Sequence, residues 1–286
     1  EEAGTIHSTL PAKFATYTGE LQKAGYKTGY TGKGWSPGKL APGGRSENPA
    51  GTPYAKRNLQ PPFKAIRNTD YAGNFDDFLD AVEKEAPFCF WLGTSEPHRA
   101  YENGAGKRTG KDPAKVIVPS IFPDNTIVRS DILDYYVEVE HFDLMVERAI
   151  ASLEKRGHLD NTIVVVTSDH GMPFPRAKAS LYDWGSRVPL AIRWPRGIRN
   201  PGRDVKDFVN LSDLAPTFIE AAGADVPSMM TANSLMKIFS GQKMNDRDAA
   251  YIAMERHDGC REGGKGYPCR AVRTQDYLYI YNFEPG

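Results

Sequence analysis

Two adjacent groups, Asp169 and His170, stand where a fold most often does chemistry. They come after residues 163–166, an apolar, β-branched run too short for a core helix and bounded by polar residues. Such a run predicts a strand buried on both faces. The motif Ser168-Asp169-His170-Gly171 then sets a carboxylate and an imidazole at the carboxyl end of that strand, the edge where open α/β sheets bind ligands. Asp169 offers hard oxygen and His170 a borderline nitrogen, and a divalent cation could use both. As an isolated pair they are better explained by a turn cap and a surface histidine. The residues beyond Gly171 change the odds: Lys178, Tyr182, Gly185, Arg187, Val188 and Pro189, leading into a second apolar run at 190–194.

Two further groups sit at strand ends. Lys33 closes residues 25–35, where glycines alternate with strand formers, which predicts a strand running into a tight turn. Taken alone it is an ordinary solvated lysine. His98 comes directly after Pro97, just beyond the apolar run 88–92, and alone it is a loop histidine.

Together these residues form a pattern. SDHG followed by K-x-x-x-Y-x-x-G-x-R-V-P and a strand resembles the sulfatase family of the alkaline phosphatase superfamily. The stretch around Lys33 is similar to that family's second signature. The form Gly32-Lys33-Gly34-Trp35 with Pro37-Gly38 looks like the branch related to heparan N-sulfatase and its bacterial relatives. The resemblance runs from Leu21 to Phe283 and implies site roles. Lys33, His98 and Lys178 would be catalytic and face the sulfate, Asp169 and His170 would be metal ligands, and the turn at Arg187 would shape the back of the site. Arg256, His257 and Asp258, in a segment also carrying Arg261 and Arg270, would hold a sulfated sugar, by the pairing of guanidinium with carboxylate and sulfate. The cation of the family is generally calcium, an oxygen-preferring ion. His170, where many members have asparagine, leaves the metal's identity open.

The family's nucleophile is a formylglycine made from a cysteine or serine in a C/S-x-P/A-x-R motif, and no such motif occurs in this sequence. The family's two other metal-binding aspartates lie before that motif. The expectation is therefore a sulfatase whose nucleophile segment precedes Glu1. Two alternatives stand beside it: a phosphatase or phosphonate hydrolase of the same superfamily, and a glycan-binding relative without a nucleophile. The resemblance implies an exported protein, periplasmic or extracellular, or lysosomal in a eukaryote.

Composition sets the limits. Over 286 residues, 36 Lys+Arg balance 36 Asp+Glu, so no basic field draws in nucleic acid. No apolar run is long enough to span a bilayer. Cys89 lies in an apolar run and is expected to be inert, while Cys260 and Cys269 bracket a glycine-rich loop that a disulfide could close, with two free thiols as the alternative.

Periodicity gives the positioning elements. Helices are expected at 16–24, 74–85, 211–222 and 234–239. A long amphipathic helix runs to Gly157, with turn and cap chemistry at 123–126 and Ile132, Tyr136, Val139, Phe142, Val146, Ala149 and Leu153 on its sheet-facing stripe. Alternation of strands and helices predicts a doubly wound α/β architecture, and the family resemblance implies an alkaline phosphatase-like mixed sheet flanked by helices, over residues 1–223. Short strands at 250–254, 271–274 and 277–281 predict a small antiparallel subdomain over 224–286.

Overall fold

The computed structural model describes residues 7–242, 244, 246–257 and 260–285. In chain order its strands and α-helices are β1 (Ser8–Thr9), α1 (Tyr17–Lys23), β2 (Lys27–Gly32), β3 (Gly38–Lys39), β4 (Thr52–Pro53), α2 (Tyr71–Ala81), β5 (Phe88–Gly93), α3 (Ala105–Arg108), α4 (Thr126–Lys155), β6 (Val164–Thr167), α5 (Asp183–Ser186), β7 (Leu190–Arg193), α6 (Leu214–Ala221), α7 (Met236–Phe239), β8 (Ala249–Met254), β9 (Cys269–Thr274) and β10 (Leu278–Asn282). The fold is mixed α/β. Strands β4, β2 and β5 form a parallel sheet, β6 and β7 an antiparallel pair, and β8, β9 and β10 an antiparallel meander.

Capping residues fix the helices that back the sheet. Asn125 accepts hydrogen bonds from the Ile127 and Val128 amides at 3.0 Å, which starts α4 where the Pro-Asp-Asn-Thr run predicts. Asp70 caps α2 through the Gly73 amide at 2.9 Å. The same carboxylate takes Arg148 of α4 at 2.8 Å, so one side chain both starts a helix and ties it to its neighbour. Helix α2 thus begins three residues earlier than its apolar pattern predicts. Phe75, Phe78 and Leu79 then pack with Leu153 as the core beneath β5.

Helix α4 departs from expectation in an informative way. Its buried positions include Asp134, Glu138 and His141 beside Ile132, Leu133, Val137, Met145 and Leu153. Tyr136, predicted on the sheet-facing stripe, is exposed. Val139, Phe142, Val146 and Ala149 are only half-buried because they line a cleft of about 2000 Å³. The same cleft corrects the reading of residues 163–166: β6 is half-buried along its length, not enclosed on both faces. Among the described residues β5 bonds to β2 alone and β6 to β7 alone, and both strands line the cleft.

The C-terminal meander packs its inner face, with Ala271, Ile252 and Ile280, against Leu181. Arg273 of β9 clamps Asp183 at 2.9 and 3.2 Å. The expected disulfide is absent: Cys260 is exposed and Cys269 buried, both with free thiols. Cys269 lies within β9 and its sulfur bonds the Asn282 side chain at 2.8 Å, so the strand pairing with β10 already secures that end of the loop.

Candidate active site

Lys33 leaves the sheet one residue after β2. Its amide donates to the Gly93 carbonyl at 2.6 Å, and Trp91 Nε1 donates to the Lys33 carbonyl at 2.8 Å. Gly93 makes this approach possible, since a Cβ there would collide with the Lys33 carbonyl oxygen. The lysine is thereby pinned to the end of β5, the strand whose trailing turn carries His98.

His98 is held by an anchor that the sequence did not advertise. Arg99 forms a bidentate pair with Asp131 of α4 at 3.0 and 2.5 Å, donates to the Pro173 carbonyl at 2.9 Å, and lies 4.8 Å from the Phe174 ring centre. One guanidinium therefore ties together the loop after β5, α4 and the loop after β6. An Arg-Asp pair 32 residues apart has no local signature, and only its fork geometry marks it.

The loop from Gly171 to Arg187 is folded on itself. The Gly171 amide donates to the Gly185 carbonyl at 2.9 Å and the Lys178 amide to the Met172 carbonyl at 3.0 Å. A Cβ at Gly171 would collide with the Trp184 carbonyl, which accounts for the glycine of the SDHG motif. Arg176 and Ala179 on either side of Lys178 both hold a left-handed φ of 61°, a conformation that costs non-glycine residues on the order of 1–3 kcal/mol. The surrounding bonds impose this shape, and it turns Lys178 toward His98.

The predicted groups converge. Lys178 Nζ is 3.1 Å from His98 Nε2, and Lys33 Nζ is 3.6 Å from Asp169 Oδ2. His98 Nδ1 donates to the Arg99 carbonyl at 2.5 Å, leaving the Nε2 lone pair to accept from the Lys178 ammonium. Burial lowers the Lys178 pKa below its ordinary value; Asp169 opposes the shift, Lys33 adds to it and Cys260 opposes it. His170 Nδ1 is occupied by the Gly171 carbonyl at 2.8 Å, so its Nε2 lone pair is the one set 3.5 Å from Asp169 Oδ1. These two donors suit a cation in kind, but they are two. Among the described residues no group of three or more His, Cys, Asp or Glu comes together as a metal ligand set.

Arg187 lines the cleft and is exposed. Arg256 and His257 are half-buried after β8 and are not among the described residues lining the cleft. His257 approaches the site through Cys260, whose sulfur is 3.6 Å from His257 Nδ1 and which acts electrostatically on Lys178. Asp258 lies outside the described residues.

A family model described as Sulfatase matches residues 6–224. The chain belongs to the sulfatase family. A second model, N-sulphoglucosamine sulphohydrolase, C-terminal, matches residues 173–285 of this sulfatase chain. An ulvan-active sulfatase of Formosa agariphila is 29% identical over 250 residues, covering 82% of this chain and 40% of that protein. Human N-sulphoglucosamine sulphohydrolase is 25% identical over 225 residues, 70% of this chain and 45% of that protein. Arylsulfatase K of Rattus norvegicus is 30% identical over 244 residues, 79% and 40%. The chain thus spans under half the length of these relatives. Among solved structures, one in complex with its substrate D-glucosamine-2-N,6-O-disulfate superposes with a TM-score of 0.73 at 21% identity, covering 99% of this chain and 75% of that one. A phosphonate monoester hydrolase from Silicibacter pomeroyi gives 0.69 at 18%, covering 97% and 75%. At these identities the likeness shows the fold.

Proposed function

We propose that this chain carries the anion-binding half of a sulfuric ester or sulfamate hydrolase acting on sulfated sugars. The observation behind the reading is the convergence of Lys33, His98, Lys178 and Asp169 at the end of the cleft. Lys178 and Lys33 both line the cleft and act on one another electrostatically, and there they would bind sulfate oxygens and stabilise charge developing on them. His98 relays Lys178: its Nε2 accepts one ammonium proton, which orients the other two. A proton held between them is available to the departing oxygen or nitrogen. Asp169 and His170 Nε2 would hold a divalent cation, calcium by the family's habit, which supplies Lewis acidity and a template when bound. The formylglycine nucleophile and the remaining ligands would come from an extended segment seated in the cleft, where the β5 and β6 edges are open. The match of residues 173–285 to the N-sulphoglucosamine sulphohydrolase C-terminal model supports a sulfated glucosamine as substrate, with Arg256 and His257 on the sugar side.

The test is turnover by the full-length protein on N-sulfated and 6-O-sulfated glucosamine, an aryl sulfate and a phosphonate monoester. Lys178→Ala and Lys33→Ala should each lower kcat/KM by about 100-fold, the scale of losing one oxyanion donor. Near-normal turnover in either folded variant removes that lysine from the mechanism. A preference for the phosphonate monoester overturns the sulfatase assignment.

A further inference from the structure

The side chains of Arg99 and Asp131 are 39% and 36% exposed. An ion pair this open to water contributes little to stability, so stability does not account for the number of bonds that Arg99 makes. Its two outer nitrogens fork onto the two Asp131 oxygens at 3.0 and 2.5 Å, and its Nε donates to the Pro173 carbonyl at 2.9 Å. The ring centres of Tyr101 and Phe174 lie 4.7 and 4.8 Å from the guanidinium carbon. Both rings are themselves held. Phe174 is buried with Val116, Ile132 and Leu133, and the Tyr101 hydroxyl donates to the Pro97 carbonyl at 3.0 Å. The guanidinium is therefore a fixed planar fork between rings and carboxylate, not a swinging surface charge.

What the fork holds is the two halves of one contact. The Arg99 main-chain carbonyl accepts His98 Nδ1–H at 2.5 Å, which fixes the tautomer whose bare nitrogen is Nε2. Pro173, which takes the Arg99 side chain, adjoins Met172, whose carbonyl accepts the Lys178 amide at 3.0 Å. Lys178 Nζ then meets His98 Nε2 at 3.1 Å. Arg99 thus grips His98 through its main chain and the Lys178 loop through its side chain. We propose that Arg99 and Asp131 are positioning residues that set the His98–Lys178 contact from both sides, with Asp131 as the fixed post. Asp131 can serve as one because it stands on the long helix α4, directly before the buried Ile132 and Leu133. A displacement of about 1 Å in a reacting group costs on the order of 100-fold in rate, so a tie of this kind matters to turnover where it matters little to stability. The inference rests on the reading of His98 and Lys178 as groups that act on the sulfate. It adds a residue on α4 that reaches them through Arg99.

The test uses the full-length protein. Asp131→Asn keeps the side chain's shape but cannot accept both arms of the fork, and Arg99→Lys keeps the charge but has no fork to offer. Each should lower kcat on a sulfated glucosamine by about 10- to 100-fold, with KM changed by less than about twofold. The melting temperature should fall by less than about 4 °C. In a His98→Ala background Asp131→Asn should cost less than about twofold, because the group it positions is gone. A 15N-histidine-labelled sample gives a second readout, with His98→Ala assigning the signals. The wild-type His98 ring should show one protonated and one bare nitrogen, and Asp131→Asn should draw the two resonances together as the tautomers mix. A penalty as large without His98 as with it means a merely structural pair and overturns the proposal. So does a His98 spectrum that neither variant moves. The spectrum requires no substrate, so a wild-type protein that hydrolyses no sulfate ester would sink the functional reading and leave the clamp to be decided by the spectrum.

Discussion

Replacing Arg247 by Met should cost this fold about 4 kcal/mol. Arg247 and Asp213 are a buried pair, with side chains 5% and 7% exposed and a 2.7 Å contact. The guanidinium also donates to the Phe208 carbonyl at 3.2 Å and the Asn233 carbonyl at 2.6 Å, joining three segments. Breaking such a pair from one side leaves an uncompensated charge, at about 3–5 kcal/mol. Two features move the figure within that range. Asp213 keeps the Asn210 and Asn233 amides at 3.0 and 3.1 Å, which lowers the cost. Two backbone carbonyls lose a buried donor, which raises it by about 1 kcal/mol each. In urea unfolding followed by far-UV circular dichroism, with a slope near 3 kcal/mol per molar, the midpoint should drop by about 1.3 M. Adding Asp213→Asn to Arg247→Met should recover part of the loss, because the orphaned charge is gone. Lys23→Met provides the control: in its pair with Glu20 the lysine side chain is 74% exposed, so the loss there should stay below about 1 kcal/mol. A loss under about 1 kcal/mol for Arg247→Met would show that water reaches the pair and that burial does not govern its cost.

Gly93→Ala should destabilise the fold by about 2–4 kcal/mol and displace Lys33, because the new methyl meets a backbone oxygen that cannot rotate away; a normal melting temperature with unchanged anion binding would refute it. Thiol titration under native conditions should find Cys260 fast, and Cys89 slow because burial pushes its thiol up to about 12, with no change of mobility on reduction; a protected Cys260 would revive the disulfide. Calcium titration of the 286-residue chain should show binding no tighter than about millimolar, since Asp169 and His170 give two donors where calcium takes six to eight. Micromolar binding would mean that further ligands are already within the chain.

Much of the site is legible in the sequence because it is written locally. Strand, glycine turn and polar tip recur after β2, β5 and β6, and the 3.6-residue and two-residue periods place those strands and the helices between them. That these ends belong to one site came from the family resemblance, since taken alone Lys33 reads as a solvated lysine and His98 as a loop histidine. What could not be read was long-range and polar. Arg99 with Asp131, and Arg273 with Asp183, are ordinary surface residues by type, and only the folded chain reveals them as clamps. The α4 stripe shows the limit most clearly. Asp134, Glu138 and His141 lie outside the predicted stripe, yet they are buried, while the apolar Val139, Phe142 and Val146 of that stripe line the cleft. Hydrophobic periodicity reports which face should be covered, and it does so whether or not the covering element is among the described residues.

The cleft also has a meaning for handling and for biogenesis. Strands β5, with Phe88-Cys89-Phe90-Trp91-Leu92, and β6, with Val164-Val165-Val166-Thr167, are uncharged and proline-free, and each offers an unsatisfied edge beside an apolar wall. Such edges are templates for pairing with whatever strand arrives first, including the same segment of another copy. An edge of this composition left unpaired favours self-association, and pairing early in folding protects it. The cleft of the proposed site and these two strand edges are one place, so a strand that paired there would shape the site and protect the edges together.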